Sequence, residues 1–140
     1  MLRRLAATLA AISLMLAVTA VAGARSSDSM APVKVFKDAK LGNVLTTPTG
    51  HAIYTWTKEK DHKIHCTASC AKLWPPVIIK GTAKVPAHVA GVMGTFSIVM
   101  RPDGSHQLAL DKAPLYTYSG EGAHQVKCNN VNGWFAVKAH

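Results

Sequence analysis

Residues 53–66 have the sequence Ile-Tyr-Thr-Trp-Thr-Lys-Glu-Lys-Asp-His-Lys-Ile-His-Cys, and residues 115–128 have the sequence Leu-Tyr-Thr-Tyr-Ser-Gly-Glu-Gly-Ala-His-Gln-Val-Lys-Cys. The two stretches align at an offset of 62 without a gap, and five of the 14 pairs are identical. Four further pairs are conservative: Ile/Leu, Trp/Tyr, Thr/Ser and Ile/Val. Self-similarity at a fixed offset indicates that the chain contains two degenerate repeats of one structural unit.

The residues around both copies are typical of short β-strands. Thr47-Pro48-Thr49-Gly50 has turn chemistry, so we expect the run after it to pair back on the strand before it. Arg101-Pro102-Asp103-Gly104 is a second turn between two apolar runs, and Met100 before it is expected in the core. A short helix is expected before Pro75-Pro76, and a long surface loop over 80–94. The expected strands are Lys34–Lys37, Asn43–Thr46, His51–Thr57, Phe96–Met100, Gln107–Leu110, Leu115–Ser119 and Trp134–Val137, and the expected helix is Thr67–Trp74. The fold class is therefore mainly β, a small α+β domain with two hairpin-containing repeats and one helical turn after the first.

The first 24 residues have the layout of a secretory signal. Two arginines, Arg3 and Arg4, precede an apolar run, and small residues follow at 22–24. We expect cleavage there rather than a retained anchor, because a polar stretch starting at Arg25 follows at once. A flexible leader is then expected over 25–33 and a single globular domain over 34–140, with repeats at about 42–79 and 95–138. The expected location is the periplasm or the outside of a bacterial cell, without a membrane span in the mature chain.

The charge pattern narrows the classes of partner that we expect for the mature chain. Without Arg3 and Arg4 it carries fourteen basic and seven acidic side chains, a net charge of +7, and only Arg25 and Arg101 are arginines. Nucleic-acid readers usually cluster their basic residues and use arginine for bidentate contacts. Scattered lysines instead favour solubility and a loose attraction to anionic envelope surfaces, with no nucleic-acid partner.

The combination of motifs resembles a bacterial secreted-repeat family of unknown function, whose members are lipoprotein-like and carry a Tyr-x-(Phe/Trp/Tyr)-x-x-Asp motif. The likeness covers about residues 42–138 and includes Cys66-Thr67-Ala68-Ser69-Cys70, Arg101-Pro102-Asp103-Gly104 and Gly133-Trp134. The resemblance implies an exported envelope protein with no established reaction or ligand. Three features depart from the family pattern: glutamate replaces the motif aspartate, no lipobox cysteine follows the apolar run, and residues 123–129 replace a Gly/Asp/Asn-rich loop. We therefore expect no lipid anchor.

The family motif has a structural explanation in this chain. Alternate residues of a strand share a face, so each copy contributes two large rings to one surface of the core. The glutamate that follows is placed to accept backbone N–H groups of the next loop. A catalytic pair of carboxylates is the sharper alternative, but no nucleophile accompanies it, so we expect no enzyme activity. The motif residues are Tyr54, Trp56, Glu59, Tyr116, Tyr118 and Glu121.

Three cysteines in an exported chain leave one thiol unpaired. Cys66 and Cys70 match the family's Cys-x-x-x-Cys, and residues four apart on a helical turn are close enough to bridge. Cys66 with Cys128 is the alternative that the repeat suggests, because equivalent positions can meet near a symmetry axis. A redox-active Cys66/Cys70 pair stays open, although it lacks the Cys-x-x-Cys spacing of thioredoxin-like proteins.

A metal site is the competing hypothesis for the same region. In each copy a histidine stands four residues before the cysteine, and imidazole with thiolate suits zinc or copper. The spacing matches no standard zinc or haem motif, so we expect no cofactor, with copper or zinc as the alternative. The candidate ligands are His62, His65, Cys66, Cys70, His124 and Cys128.

We therefore expect a non-enzymatic exported envelope or periplasmic protein of unknown ligand. The alternative is a periplasmic copper- or zinc-binding or thiol-redox protein that uses the His/Cys cluster.

Overall fold

The computed structural model describes residues 31–81 and 83–140. The predicted signal peptide, 1–24, and most of the predicted leader lie outside the described residues. The end of the leader segment is part of the domain, because Val33 is 2% exposed and packs in an apolar core with Leu45 and Ile53.

Short antiparallel strands dominate the described residues, which confirms the mainly β prediction. The helix prediction is also right, since the α-helix α1 (Ala68–Leu73) lies before the two prolines; a 3-10 helix also covers Thr57–Glu59. The strands in chain order are β1 (Lys34–Asp38), β2 (Gly42–Thr46), β3 (Tyr54–Trp56), β4 (Phe96–Met100), β5 (His106–Leu110), β6 (Ala113–Pro114) and β7 (Trp134–Ala136).

The first half of the domain is built on a hairpin. Strands β1 and β2 pair with Val35 opposite Leu45. The turn at 47–50 then brings the chain back, so that Ala52 lies opposite Thr46 and the Ile53 N–H donates to the Leu45 carbonyl at 2.9 Å. The predicted return after this turn is therefore correct for Ala52 and Ile53, whereas β3 itself pairs with β7.

The second half repeats this path. Strands β4 and β5 pair across the predicted turn, and the Leu115 N–H donates to the Leu108 carbonyl at 3.0 Å, as Ile53 does to Leu45. Strand β4 lies at the edge of its three-stranded sheet, which has the order β4-β5-β6. Met100 is 70% exposed there, so its predicted place in the core is wrong. Its position alternates with that of the half-buried Val99, and no strand among residues 31–81 and 83–140 pairs with the outer edge of β4.

The predicted strand Leu115–Ser119 is not regular, and prolines are the reason. It runs beside 73–77 just as β3 runs beside β7: Tyr116 lies opposite Pro76, and the Ser119 N–H donates to the Leu73 carbonyl at 3.0 Å. Its partner contains Pro75 and Pro76, which have no N–H to donate to a ladder. The N–H groups of Val77, Thr117 and Ser119 still donate across the pair, but Pro75 cannot donate in return to Thr117, so the second copy of β3 is extended without forming a full strand.

The two halves meet at a pseudo-twofold axis between Tyr54 and Tyr116. The Tyr54 N–H donates to the Tyr116 carbonyl at 2.8 Å, and the Tyr116 N–H donates to the Tyr54 carbonyl at 3.0 Å. The hairpins and the segments that follow them are related across this axis, which places the repeats at about 34–79 and 96–139. The first repeat thus includes β1, eight residues before the start inferred from the sequence.

The segment between the repeats has no counterpart elsewhere in the duplication. Residues 80–94 contain no helix or strand among those described, as expected for a loop. It is nevertheless held to the domain, because Val92 is buried in the apolar core and Val85 and Val89 pack against that core.

Candidate functional site

The family motif residues form a crossed pair of hydrogen bonds at the centre of the domain. The Tyr54 hydroxyl donates to Oε2 of Glu121 at 3.0 Å, and the Tyr116 hydroxyl donates to Oε1 of Glu59 at 2.9 Å. All four side chains are buried. Each repeat therefore supplies a tyrosine whose hydroxyl donates a hydrogen bond to the glutamate of the other repeat, so the motif links the two halves.

Glu59 also organises the loop that follows it. Its Oε1 accepts the backbone N–H of His65 at 2.7 Å and that of Cys66 at 2.9 Å. This is the role that the sequence suggests for a carboxylate just past a strand end. Three hydrogen bonds converge on one oxygen, whereas Oε2 is buried without a partner.

Glu121 makes an equivalent but weaker set of contacts. Its Oε2 accepts the Lys127 N–H at 2.8 Å as well as the Tyr54 hydroxyl, and its Oε1 is buried without a partner. The Cys128 N–H lies 3.5 Å from the Tyr54 hydroxyl oxygen instead of reaching the carboxylate. Burial raises the pKa of Glu121, against the opposing effects of the Lys127 N–H and the Tyr54 hydroxyl.

The two central tyrosines are held as hydrogen-bond donors. Burial, together with the neighbouring Glu59 carboxylate, raises the pKa of Tyr116 to about 12. Burial and the hydrogen bond to Glu121 raise the pKa of Tyr54 further above its ordinary value. Both hydroxyls therefore keep their protons and serve as structural donors.

Arg101 and Gln107 form a buried polar arm that sequence analysis missed. The Arg101 Nη1 donates to Oε1 of Gln107 at 2.6 Å, and its Nη2 donates to the Cys66 carbonyl at 2.9 Å. Gln107 Nε2 in turn donates to the Leu115 carbonyl at 2.7 Å. From the sequence, Arg101 is recognised only as a turn residue. An arginine at a turn in a mature chain whose basic residues are mostly lysines was, however, a signal that could have been used. Both side chains belong to the second repeat and the Cys66 carbonyl belongs to the first, so the arm links the two halves and breaks the pseudo-symmetry.

An aromatic stack crosses the axis beside the tyrosines. Trp74 and Trp134 are parallel with ring centroids 3.9 Å apart, Trp56 stacks on Trp134 at 5.0 Å, and Tyr118 tilts against Trp74 at 4.8 Å. Tyr54 meets the edge of Trp74 at 5.4 Å. The motif rings therefore pack in a second buried cluster, separate from the apolar core around Leu45 and Ile53, which gives their sequence pattern a packing role.

The disulfide joins Cys66 and Cys70, whose Cα atoms are 5.1 Å apart, as the family resemblance implied. The alternative pairing of Cys66 with Cys128 is not formed. Cys128 is a free, buried thiol, and burial together with the charge of Glu121 raises its pKa. A thiol with a raised pKa is a poor nucleophile.

The histidines of the two loops share a backbone conformation. His62 and His124 have φ angles of 61° and 58°, in the left-handed region where histidine is enriched among non-glycine residues. Their equivalence is therefore explained by a tight turn in each loop. His65 contacts Asp61, Nε2 to Oδ2, at 2.8 Å. Over residues 31–81 and 83–140 no group of three or more His, Cys, Asp or Glu side chains is placed to hold a metal ion, and the structure does not gather the six candidate ligands into one site.

A candidate binding site is a groove of about 1080 Å³ between the repeats and the connecting loop. Its walls are the 47–51 turn, the 75–80 segment and residues 83–86, and its other side is formed by residues 117–121. Two motif residues of the second repeat, Tyr118 and Glu121, contribute to the lining. Their first-repeat equivalents, Trp56 and Glu59, are not among the described lining residues. Sequence analysis did not predict this groove, because the connecting loop carries no recognisable motif.

The groove has a mainly apolar surface, and nine of its twenty lining residues carry a polar side chain. Five prolines and several aliphatic side chains line it, while His51, Lys80, Lys84 and Glu121 are its ionisable groups. An apolar cleft with a small number of polar groups is the usual form of a small-molecule site. The prolines that line it are Pro32, Pro48, Pro75, Pro76 and Pro86.

Fold and site together define a class: a small β-rich domain of two repeats, locked by crossed tyrosine–glutamate pairs and stabilised by a local disulfide. Within it, residues 35–78 match the family described as a secreted repeat of unknown function. The match confirms the resemblance to this family over the first structural repeat, whereas the likeness inferred from the sequence extended to residue 138. No curated protein and no solved structure matches the chain. Among the described residues, no helix has the length and apolar character needed to cross a bilayer.

Proposed function

We propose that this chain is an exported, non-enzymatic binding protein of the bacterial envelope, and that the groove is its ligand site. The observation that carries the proposal is the groove itself, an apolar cleft of about 1080 Å³ into which the second repeat places Tyr118 and Glu121. Its volume is in the range of small-molecule sites.

Three features support export. The matched family is described as a secreted repeat. The Cys66–Cys70 disulfide is of the kind that persists in oxidising compartments such as the periplasm. The amino-terminal 24 residues have the charge and hydrophobicity layout of a cleaved signal. The scattered lysines suit weak attraction to anionic envelope surfaces.

The positions of the motif carboxylates support a non-enzymatic role. Glu59 and Glu121 were the best candidates for acid–base chemistry, but each is engaged by the tyrosine of the other repeat and by backbone N–H groups of its own loop. A carboxylate that holds loop backbone in place serves the fold. We therefore assign these two residues to the architecture, with Glu121 also bordering the groove.

Metal binding and thiol chemistry receive less support from the geometry. Two of the proposed ligands, Cys66 and Cys70, are joined in the disulfide, and Cys66 is fully buried. The remaining thiol, Cys128, is buried with a raised pKa. These environments suit a structural disulfide and an inert thiol better than a redox pair.

Ligand binding is tested with a groove-filling variant. Ala83 is exposed and borders the groove, so Ala83→Trp would occupy part of it without disturbing the core. Ala90→Trp is the matched control, since Ala90 is exposed on the same loop and is not among the lining residues. The probe is N-phenyl-1-naphthylamine, whose fluorescence rises in apolar sites. We expect saturable binding by the wild type and by Ala90→Trp, with at least tenfold weaker binding by Ala83→Trp. Equal binding by both variants would reject the groove as the site.

Export is tested separately with the full chain in a bacterial host. We expect osmotic shock to release a mature protein that begins near Arg25, with the Cys66–Cys70 bridge intact and one free thiol. Metal analysis of material purified without chelators decides between the proposal and the metal-binding alternative. A chain retained in the cytoplasm, or one with stoichiometric zinc or copper and reduced cysteines, contradicts the proposal.

A further inference from the structure

We propose that the groove takes an amphipathic monoanion of the fatty-acid class, whose apolar chain lies against the prolines and whose carboxylate faces Lys80 and Lys84. This inference rests on the proposed ligand-binding function and adds the chemical class of the ligand. Three observations carry it: the charges of the lining, the exposure of those charges and the apolar residues beside them.

The accessible charges of the groove are cationic. Lys80 and Lys84 line it and are exposed, and among the described residues no hydrogen bond or ion pair engages either ammonium group. The acidic residue of the lining is Glu121, which is 6% exposed, and its Oε2 already accepts from the Tyr54 hydroxyl and a backbone N–H. A ligand in the groove therefore meets free ammonium groups and no exposed carboxylate of the lining.

Most of the hydroxyl groups of the lining are engaged within the protein. The Thr47 and Thr49 hydroxyl oxygens lie 2.9 Å apart, and Oγ1 of Thr117 donates to the Pro75 carbonyl at 3.3 Å. A hydrogen bond from an ammonium group to a carboxylate is roughly twice as strong as one between neutral groups. The lysines therefore offer the strongest contact to the polar head of a ligand, and they favour a head that is anionic.

Apolar side chains adjoin the lysines on the same wall. The chain is extended there, because Ile78 lies opposite Gln107 and the Ile79 N–H donates to the His106 carbonyl at 2.9 Å. Residues two apart in an extended segment share a face. Ile78, which is 40% exposed, and the exposed Lys80 both line the groove. An apolar body beside Ile78 and the prolines, joined to an anionic head, matches this arrangement.

Three probes of equal chain length test the class with the folded, disulfide-bonded protein at neutral pH. Decanoate is anionic, decyltrimethylammonium is cationic and 1-decanol is neutral, and the displacement of N-phenyl-1-naphthylamine below the micelle concentration measures each affinity. We expect decanoate to bind about fivefold more tightly than decyltrimethylammonium, the modest gain that solvent-exposed ion pairs provide. We expect about 0.5 M salt to abolish this preference, because salt screens exposed charges.

Two double variants with the same change of charge locate the preference. Lys80→Gln/Lys84→Gln removes the lysines of the groove, whereas Lys37→Gln/Lys60→Gln removes two exposed lysines that are not among the lining residues. We expect the first to lose the preference for decanoate and the second to keep it. Lys80→Glu/Lys84→Glu should reverse the preference, so that decyltrimethylammonium binds more tightly. Thermal unfolding establishes that each variant is folded at the assay temperature.

Membrane surfaces present a similar anionic chemistry, and sedimentation with phosphatidylglycerol vesicles distinguishes them from a free ligand. Attraction to such vesicles depends on the number of lysines near the surface. We expect the two glutamine double variants to bind vesicles equally well. A loss of vesicle binding confined to Lys80→Gln/Lys84→Gln would assign these lysines to a membrane surface and overturn the free ligand.

The outcomes separate the two levels of the proposal. Equal wild-type affinity for decanoate and decyltrimethylammonium would overturn the anionic class and leave the binding function standing. Failure of all three probes to bind, together with failure of N-phenyl-1-naphthylamine, would overturn both. A preference lost equally in the two glutamine double variants would reflect the overall charge of the chain and reject the contact with Lys80 and Lys84. The wild-type comparison tests the class even if a variant does not fold.

Discussion

Truncation of Glu59 is expected to lower the stability of the domain more than the equivalent truncation of Glu121. In Glu59→Ala, three donors lose their acceptor: the Tyr116 hydroxyl, the Cys66 N–H and the His65 N–H. Tyr116 and Cys66 are fully buried, whereas His65 is exposed and its N–H can bond to water. A hydrogen bond to a charged group contributes about 1.5–3 kcal/mol. Removing the unpartnered Oε2 offsets part of the loss, so we expect a net cost of about 3 kcal/mol.

The control is Glu121→Ala, the same truncation across the pseudo-twofold axis. Its carboxylate accepts only two donors, the Tyr54 hydroxyl and the N–H of the exposed Lys127. One fully buried donor is lost instead of two, so we expect a cost of about 1.5 kcal/mol. The repeats thus provide an internal comparison in which sequence context and fold are nearly constant.

Urea unfolding followed by tryptophan fluorescence measures both changes, since all three tryptophans lie in the aromatic stack at the axis. With a slope of about 1.5 kcal/mol per molar urea, typical of a small domain, the midpoint should fall by about 2 M for Glu59→Ala and about 1 M for Glu121→Ala. Equal shifts, or a larger shift for Glu121→Ala, would refute the argument that the number of buried donors sets the cost.

Three further changes have expected outcomes. Burial raises the pKa of Glu121, so the stability linked to its protonation is fully present below its ordinary pKa of 4.5 and is lost as the pH rises through the raised value. The free energy of unfolding of the wild type should therefore increase relative to that of Glu121→Gln between pH 7 and pH 4.5. A difference between the two proteins that does not depend on pH would contradict this. Replacing Cys66 and Cys70 together by serine should cost about 2 kcal/mol in calorimetry, the entropy of closing so short a loop, and a cost above about 4 kcal/mol would show that the bridge does more. Gly133→Ala should lower the melting temperature more than Gly104→Ala, because both glycines have positive φ but only at Gly133 would the added Cβ meet the Thr57 hydroxyl oxygen; similar losses would mean that backbone conformation alone sets the cost.

Internal sequence identity predicted the duplication and the equivalence of the motif residues. It did not predict that each tyrosine bonds to the other repeat's glutamate, because sequence offset carries no information on whether equivalent side chains meet within a repeat or between repeats. The Tyr54–Glu121 contact spans 67 positions and depends on how the two halves pack. Strand patterns were reliable where both partners of a ladder can donate, as in the β1–β2 hairpin. The strand prediction failed at Leu115–Ser119 because the segment that pairs with this run contains prolines, and not because of the run itself.

The histidines show how a repeated residue can suggest a site that the described residues do not bring together. His62 and His124 stand at matching distances before a cysteine, which made a symmetric metal site reasonable. In the structure both take a left-handed backbone conformation, and a hydrogen bond from the His124 N–H to the Gly50 carbonyl, at 2.8 Å, fixes one of the two loops. Backbone demands can maintain a residue type in both copies without any shared ligand, and a single sequence does not distinguish the two causes.

A duplicated domain gains a specific surface at the places where its two halves differ. Each crossed tyrosine–glutamate pair joins one half to the other, so the two pairs account for the union of the repeats. The groove depends on features that occur once: the 80–94 connection and the Pro75-Pro76 pair that replaces the second and third residues of β7. Glu121 belongs to both systems, since one of its oxygens accepts from Tyr54 and Lys127 while the residue also contributes to the groove lining. Selection for binding can therefore act on the loop and the prolines without disturbing the contacts that hold the repeats together.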